Sequence, residues 1–270
     1  MVAPQPERSL QTRAPWRVLL AAAIAAGVFL MLPGDLWHKT HLVLQGVCAQ
    51  RPSHSFRFDG QPLPVDARMT GIYVGTASAL GWCLLACRAQ RSGRLTRSLW
   101  ILVALGVVTM ALDGLNSLAS DLALPTPYAS TNQTRVVTGL LAGVAVGMLL
   151  SHLVTLTLTH RPRGGWTPSG LSLFVPPLLL GASVCALAAC GLPTLGLPLA
   201  CMIVMSALAT LWAMTSVLLT LVWRRAWGFA SAQQRDETLA FALLGACALL
   251  VVLAVWRALL EQITGPMILS

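Results

Sequence analysis

Residues that could do chemistry are concentrated in one stretch of a chain that is otherwise mostly apolar. This stretch, CAQRPSHSFRFDGQPLPVDARMTGIYVG, runs from Cys48 to Gly75 and contains a thiol, a histidine, two aspartates and three arginines. Thiolate, imidazole and carboxylate groups are the ligands of zinc and copper sites. Arginines bind carboxylates and phosphates through paired hydrogen bonds. The residue types in this stretch are therefore compatible with two chemistries, metal binding and anion binding.

A metal site could draw on residues inside and just before this stretch. His38 and His41 are three residues apart, which would place them on one face of a short interfacial helix. With Cys48, His54 and Asp66 they form a set of possible zinc or copper ligands. The spacing matches no familiar zinc pattern, and histidines at an interface are ordinary. A metal is therefore the minor interpretation of this set.

His152 is a separate candidate because it lies within an apolar run. An ionisable residue inside a membrane span is a candidate functional residue, and a neutral imidazole could bind a haem or a pigment. No second histidine lies at a matching depth, which excludes a haem held by two histidines of this chain. Hydrogen bonding between helices through Ser151 and His152 is the structural alternative.

Enzyme motifs are missing from the sequence. It contains no GxSxG, HExxH, P-loop or DxxD element. Ser55 or Cys48 could act as a nucleophile with His54 as its base, but adjacent residues rarely face each other well enough for proton transfer. We therefore predict no catalytic residue, and the sequence does not identify a cofactor.

The composition indicates a polytopic membrane protein. Of the 270 residues, 56% are hydrophobic and 10% are charged, and the mean hydropathy is +0.73. A soluble domain carries about 25% charged residues. The net charge is +9, but the basic residues are spread over many connectors and form no basic face on a soluble domain. This pattern is explained by the positive-inside rule and excludes nucleic acid as a partner.

Seven apolar runs are predicted to span the membrane, each near the ~20 residues that a bilayer core requires. They cover residues 16–33, 70–87, 98–113, 136–159, 171–192, 196–223 and 239–259. The first run follows three arginines but precedes no small-residue cleavage site. We therefore predict a retained span and not a signal peptide.

The distribution of Lys and Arg predicts the orientation. With the N-terminus in the cytoplasm, 12 basic residues lie inside and six lie outside, and the C-terminus is extracytoplasmic. Residues 1–15 form a cytoplasmic tail, and residues 16–270 form a single polytopic domain in a bacterial inner membrane. The two longest connectors, 34–69 and 113–135, then share the outer face. We expect them to form a structured cap there.

A row of small residues predicts close helix packing. In the fourth predicted span, Gly139, Gly143 and Gly147 lie one turn apart on one face, a spacing that lets two helix backbones approach closely. The second span offers a partner row, Gly71, Gly75 and Ala79. Packing within one chain and packing between two copies both fit this pattern.

Charged residues are also predicted at the outer ends of the third and fourth spans. Asp113 and Asn116 would end the third span, and Arg135 stands at the start of the fourth. A pair between Asp113 and Arg135 would allow both charges to lie at a membrane edge. Such a pair would be a structural clamp or part of an anion-binding site, and the clamp is favoured.

Two separated motifs resemble an uncharacterised prokaryotic membrane-protein family, the domain of unknown function 2085. The first motif is matched by Cys48, Gln50, Ser55, Phe56, Gly60, Pro64, Ala67, Arg68, Thr70, Gly71, Ile72, Tyr73 and Gly75. Asp113 corresponds to a later acidic residue of the family. The second motif is matched by Thr131, Asn132, Arg135, Thr138 and Gly139. The resemblance covers about residues 37–147.

The chain departs from the family pattern at its reactive positions. Ala49 stands where the family has a histidine, and Asp66-Ala67-Arg68-Met69 stands where it has Cys-Ala-Arg-Cys. The family pattern implies a thiolate-rich metal or redox site, of which this chain keeps one thiol of three. The resemblance therefore implies the architecture more than an activity.

These observations predict an all-α integral membrane protein of about seven transmembrane helices with an extracytoplasmic loop cap. The first functional hypothesis is a non-catalytic structural or accessory subunit of a membrane assembly. Its partners would be the lipid bilayer and other membrane subunits or a second copy. One alternative is a protein that binds or transports a lipid, anion or small molecule, and another is a degenerate metal or redox enzyme. The binding site would be lined by Gln50, His54, Asp66, Arg68, Tyr73, Asp113, Asn132 and Arg135.

Overall fold

The described residues form an assembly of α-helices with one short β-hairpin. A computed structural model describes residues 15–86, 97–158, 170–223, 229 and 231–264. The helices are α1 (Trp16–Met31), α2 (Leu36–Leu44), α3 (Ala67–Ala86), α4 (Arg97–Asp121), α5 (Asn132–Leu158), α6 (Gly170–Ala189), α7 (Pro193–Val222) and α8 (Ala232–Thr264). The predicted tail, apart from Pro15, and most of the arginines counted as cytoplasmic lie outside the described residues.

Each predicted span corresponds to one of the long helices, but the membrane count is lower. Helices α4 to α8 are long and apolar enough to cross a bilayer, and the pair α1 and α2, bent by 114°, makes a sixth if it is counted as one span. Helix α3 is not in this set. A multi-pass helical membrane protein is therefore confirmed, and the count of seven stays a prediction.

The largest boundary error concerns α4, which continues to Asp121 although its predicted end is residue 113. Asp113, Asn116 and Ser117 are buried within the helix, at 1%, 6% and 5% exposure. Their side chains find polar partners on neighbouring segments, so the helix does not need to end where the sequence becomes polar.

Helices α3 and α5 form the centre of the fold, packed backbone to backbone. A Cβ atom on Gly139 would lie 2.2 Å from the carbonyl oxygen of Arg68, and one on Gly143 would lie 2.3 Å from that of Ile72. From the other side, a Cβ atom on Gly75 would lie 2.6 Å from the carbonyl oxygen of Leu140. The predicted small-residue rows therefore pack on each other within one chain, as close helix packing in a membrane requires.

Residues 45–66 form a folded connector with a hairpin at its tip. Strand β1 (Arg57–Phe58) pairs with β2 (Gln61–Pro62) across Asp59 and Gly60, which both have positive φ, at 50° and 76°. Positive φ at both turn residues is typical of a type I′ hairpin. Phe58 is 2% exposed and packs on α7 so closely that a Cβ atom on Gly196 would lie 2.7 Å from its Cβ.

Arg257 of α8 holds the start of the same connector. Its guanidinium donates to the carbonyl oxygens of Gln45 at 2.7 Å and Ala49 at 3.1 Å, and also to that of Cys48. Gly46 allows the contact, because a Cβ atom there would lie 2.4 Å from the backbone nitrogen of Ala254. The connector is thus fixed to α7 by its hairpin and to α8 by an arginine.

Candidate functional site

The ends of three helices meet beside the folded connector. Helices α3, α4 and α5 follow one another and pack together, so the start of α3, the end of α4 and the start of α5 lie at the same end of the molecule. This arrangement brings Arg68, Asp113 and Arg135 into one polar layer. Buried charges of this kind are tolerated in a membrane protein when they are paired or hydrogen-bonded.

Asp113 is saturated by donors from three elements. Its carboxylate accepts hydrogen bonds from Arg68 Nη2 at 2.6 Å, from the Tyr128 hydroxyl at 2.8 Å and from the Thr138 hydroxyl at 3.2 Å. The predicted pair between Asp113 and Arg135 is therefore wrong, because the ion pair is with Arg68. Since α4 is longer than predicted, Asp113 lies inside it and faces the start of α3.

Arg135 lies next to this ion pair and has a different environment. Its side chain donates from Nε and Nη2 to the Ser117 hydroxyl at 3.2 and 2.9 Å, and from Nη1 to Asn132 Oδ1 at 3.3 Å. The residue is 6% exposed. Among the described residues, no carboxylate oxygen lies within the 4.0 Å of an ion pair from its guanidinium. In the described part of the chain, the direct hydrogen-bond partners of this buried cation are thus neutral side chains.

An open cleft of about 430 Å³ lies against Arg135. The cleft is lined by Ser53, Phe56, Ser130, Thr131, Asn132, Gln133, Arg135 and Ala189. Its lining contains no acidic residue. The Ser130 hydroxyl is buried and has no hydrogen-bond partner within the described part of the chain. The cleft therefore presents hydroxyl and amide groups around one buried positive charge.

The connector closes one side of the cleft through contacts with α4 and α5. Arg51 Nη1 lies 2.8 Å from Asp121, and His54 Nε2 lies 3.8 Å from the same carboxylate. Asn132 Nδ2 donates to the carbonyl oxygen of Ser55 at 3.4 Å. Burial, and then the positive charge of Arg135, lower the pKa of His54 despite the nearby Asp121. His54 is therefore held mainly neutral.

Three other predicted site residues do not line the cleft: two shape the connector and the third lies in the apolar core. Gln50 has φ 56° and donates from Nε2 to the carbonyl oxygens of His41 and Pro64, both at 2.9 Å. Asp66 accepts from the backbone N–H of Met69 at 2.7 Å at the start of α3. Tyr73 is 7% exposed within the apolar core. Of the eight predicted site residues, Asn132 and Arg135 line the cleft.

The predicted metal ligands do not form a cluster. Within the described residues, no group of three or more His, Cys, Asp or Glu side chains is placed to hold a metal ion. His38 and His41 do share a short helix, α2. His152 lies half-buried in α5. Burial, with the charge of Asp66, raises the pKa of Cys48 to about 11, so this thiol stays protonated at neutral pH.

The Ser55 hydroxyl makes a structural contact. It donates to the carbonyl oxygen of Arg51 at 3.0 Å. This bond closes the turn before the hairpin. Among the hydrogen bonds that the structure shows, none joins the side chains of Ser55 and His54.

Ser117, Asp121 and Tyr128 carry contacts of the site but are absent from the predicted set. A signal for Ser117 exists in the sequence, because Asp113, Asn116 and Ser117 follow the i, i+3, i+4 spacing of one helix face. Tyr128 and Asp121 have no comparable signal, since their contacts depend on how the connector between α4 and α5 folds back.

Comparison with known proteins supports the membrane assignment. Residues 48–149 match the sequence model of a family described as "Predicted membrane protein (DUF2085)". This match confirms the resemblance seen in the two motifs, and it includes the connector, α3, α4 and most of α5. No match was found among curated proteins or among solved structures.

Proposed function

We propose that this DUF2085-like membrane protein binds an anionic ligand in the cleft beside Arg135. The observation that carries the proposal is the buried guanidinium of Arg135, which lies against an open cleft and has no carboxylate partner among the described residues. Binding and not chemistry is proposed, because the cleft lining holds no nucleophile and base in hydrogen-bond contact.

The charges around Arg135 favour an anionic ligand. Asp113 is paired directly with Arg68, and Asp121 is paired with Arg51. Arg135 lies near Asp121, Asp113 and Asp66 but forms a direct ion pair with none of them among the described residues. Removing an ion from water costs several kcal/mol unless it is paired. An anion in the cleft would give Arg135 a direct partner. This requirement favours a negatively charged ligand over a neutral one.

The hydrogen-bonding groups of the cleft fit the same ligand. Thr131 and Asn132 lie at the start of α5, where the helix dipole favours negative charge. The Ser130 hydroxyl, which has no hydrogen-bond partner among the described residues, adds a further donor. Arginine and hydroxyl groups together are well suited to phosphate or carboxylate oxygens.

The test is the unfolding temperature of the purified full chain in a neutral detergent, measured with increasing inorganic phosphate. We expect a rise that saturates, because a ligand bound only by the folded state stabilises it by RT ln(1 + [L]/Kd). Arg135→Gln should abolish the rise. Arg57→Gln, at an exposed arginine of the hairpin outside the cleft, is the matched control and should keep it. An equal rise in both variants would overturn the proposal.

We also propose the arrangement of the chain in the membrane. All seven long helices would span the bilayer with the N-terminus in the cytoplasm, and residues 34–69 and 113–135 would form an extracytoplasmic cap. The contacts of Asp121 with Arg51 and His54 support the bracing of the two segments. The cleft would then open on the extracytoplasmic side of the inner membrane.

A non-catalytic accessory role in a larger membrane assembly is the alternative proposal. The observation in its favour is a row of leucines that are each more than half exposed, namely Leu112, Leu115 and Leu118 on the last turns of α4 and Leu122 just after its end. A partner helix could cover this row. Purification from the native membrane tests the role, and a chain that leaves the membrane without any second protein contradicts it.

A further inference from the structure

We infer that the ligand of the Arg135 cleft is an anionic glycerophospholipid, with its phosphate at Arg135 and its acyl chains in the bilayer. This inference rests on the proposed anion site and adds the class of ligand. Three features support it: the position of the cleft at the ends of two candidate spans, the polar and apolar residues that line it, and the exposed apolar surface that extends from it along both helices.

The cleft lies at the ends of two candidate membrane spans. Arg135 is about one turn inside the span Asn132–Thr157, and Ala189 is the last residue of the span Leu171–Ala189. The ends of spans lie where the hydrocarbon core gives way to headgroups. A lipid phosphate therefore reaches this depth without leaving its own layer, whereas a free anion must enter from water.

The lining of the cleft is divided between polar and apolar residues. The polar lining residues are Asn132 and Gln133 at the start of α5 and Ser130 and Thr131 just before it. Phe56 and Ala189 are apolar. A hydrated inorganic anion gains nothing from a phenyl ring and an alanine methyl. An amphiphile places its headgroup on the first group and its glycerol and first methylenes on the second.

Exposed apolar surface extends from the cleft along both helices. Val137, one turn beyond Gln133 on the same face of α5, is 54% exposed. Ala186, one turn before Ala189 on α6, is also exposed. Acyl chains that leave the cleft would therefore run over apolar side chains of two neighbouring helices.

The charge of the site selects among lipids. A zwitterionic headgroup brings a cation close to Arg135, and no acidic residue lines the cleft to receive it. A headgroup with net negative charge and hydroxyl groups, such as phosphatidylglycerol, pairs with Arg135 and can hydrogen-bond to the hydroxyl and amide side chains. The site thus favours an anionic lipid over a zwitterionic one.

The test compares three probes on the full chain in neutral detergent micelles: phosphatidylglycerol, phosphatidylcholine and inorganic phosphate. The readout is the probe concentration that gives half of the maximal rise in unfolding temperature. We expect phosphatidylglycerol to act at a concentration at least tenfold lower than either of the other two. Equal potency of phosphatidylglycerol and phosphate would overturn the lipid inference and leave the anion site standing. Equal potency of the two lipids would also overturn it, and no response to any probe would overturn both proposals.

A charge variant tests the location without disturbing the buried arginine. Gln133 is exposed and lines the cleft, so Gln133→Glu adds negative charge beside Arg135 and leaves the bonds to Ser117 and Asn132 intact. A glutamate in the first turn of a helix favours folding. We expect about tenfold weaker binding of phosphatidylglycerol, from the repulsion between like charges near a surface. Gln61→Glu, the same substitution at an exposed hairpin position, is the control, and equal binding by the two variants would contradict the location.

Discussion

At the scale of single residues, the buried ion pair of Arg68 and Asp113 gives the sharpest stability prediction. The side chain of Asp113 is 1% exposed, whereas that of Arg68 is 23% exposed. Arg68→Gln leaves a buried carboxylate without its ion-pair partner, which costs on the order of 3 kcal/mol of the free energy of unfolding. Asp113→Asn leaves a cation that can still reach water, so we expect a smaller loss.

The measurement is the free energy of unfolding of both variants in mixed micelles. A larger loss for Asp113→Asn than for Arg68→Gln would show that the carboxylate is not the more deeply buried partner. Tyr128→Phe removes one donor to Asp113 and should cost about 1 kcal/mol, in line with a single buried hydrogen bond.

The lowered pKa of His54 predicts that the stability of the protein depends on pH. The pKa of this residue in the folded protein is lowered from 6.5 by burial and by Arg135. Below pH 6.5 the unfolded chain therefore binds a proton that the folded chain resists, and stability falls from pH 6.5 down to the lowered pKa. His54→Gln should lessen this fall. Unfolding temperatures of both proteins at pH 7.5 and pH 5.5 provide the check, and an identical fall in both would rule out His54 as a cause.

Single residues also show which features of the site can be predicted from the sequence and which cannot. The two motifs point to Asn132 and Arg135, and both line the cleft. The partner of Asp113 is assigned wrongly from the sequence, because the choice between Arg68 and Arg135 depends on where α4 ends and how it faces α3. Gln50 is a polar motif residue whose amide only bridges two backbone carbonyls, a role that no spacing reveals.

At the scale of elements, the packing of α3 on α5 depends on glycine. A Cβ atom on Gly75 would lie 2.6 Å from the carbonyl oxygen of Leu140, but one on Gly81 of the same helix would meet nothing within 4 Å. Gly75→Ala should therefore destabilise the protein by about 1–3 kcal/mol through overpacking. Gly81→Ala should be neutral or stabilise the helix by up to about 1 kcal/mol. Equal effects on the unfolding temperature would contradict the close approach of α3 and α5.

The helices themselves are largely predictable, since apolar runs of bilayer length have few alternative structures. The start of α1 and the end of α7 fall within one residue of the predicted bounds. The small-residue rows predict the contact of α3 with α5. The break between α1 and α2 falls at Pro33 and Gly34, which has φ 87°, but the bend of 114° is not predictable in the same way because no sequence signal specifies its angle.

At the scale of the whole molecule, the proposed orientation places the hairpin outside the cell membrane. Gln61 is exposed in β2, so a Gln61→Cys variant in a Cys190→Ser background should react with a membrane-impermeant maleimide on intact cells. Protection on intact cells, followed by labelling after the membrane is opened, would place the hairpin in the cytoplasm and reverse the proposed orientation.

Native mass spectrometry of the full chain tests whether an anionic ligand pairs with the buried charge of Arg135. Wild-type protein and the Arg57→Gln control, purified gently from the membrane, should each carry one bound anionic lipid. The folded fraction of Arg135→Gln should carry no bound anionic lipid, whether or not the variant is less stable. Equal occupancy of the anionic lipid in wild type and Arg135→Gln would contradict this pairing.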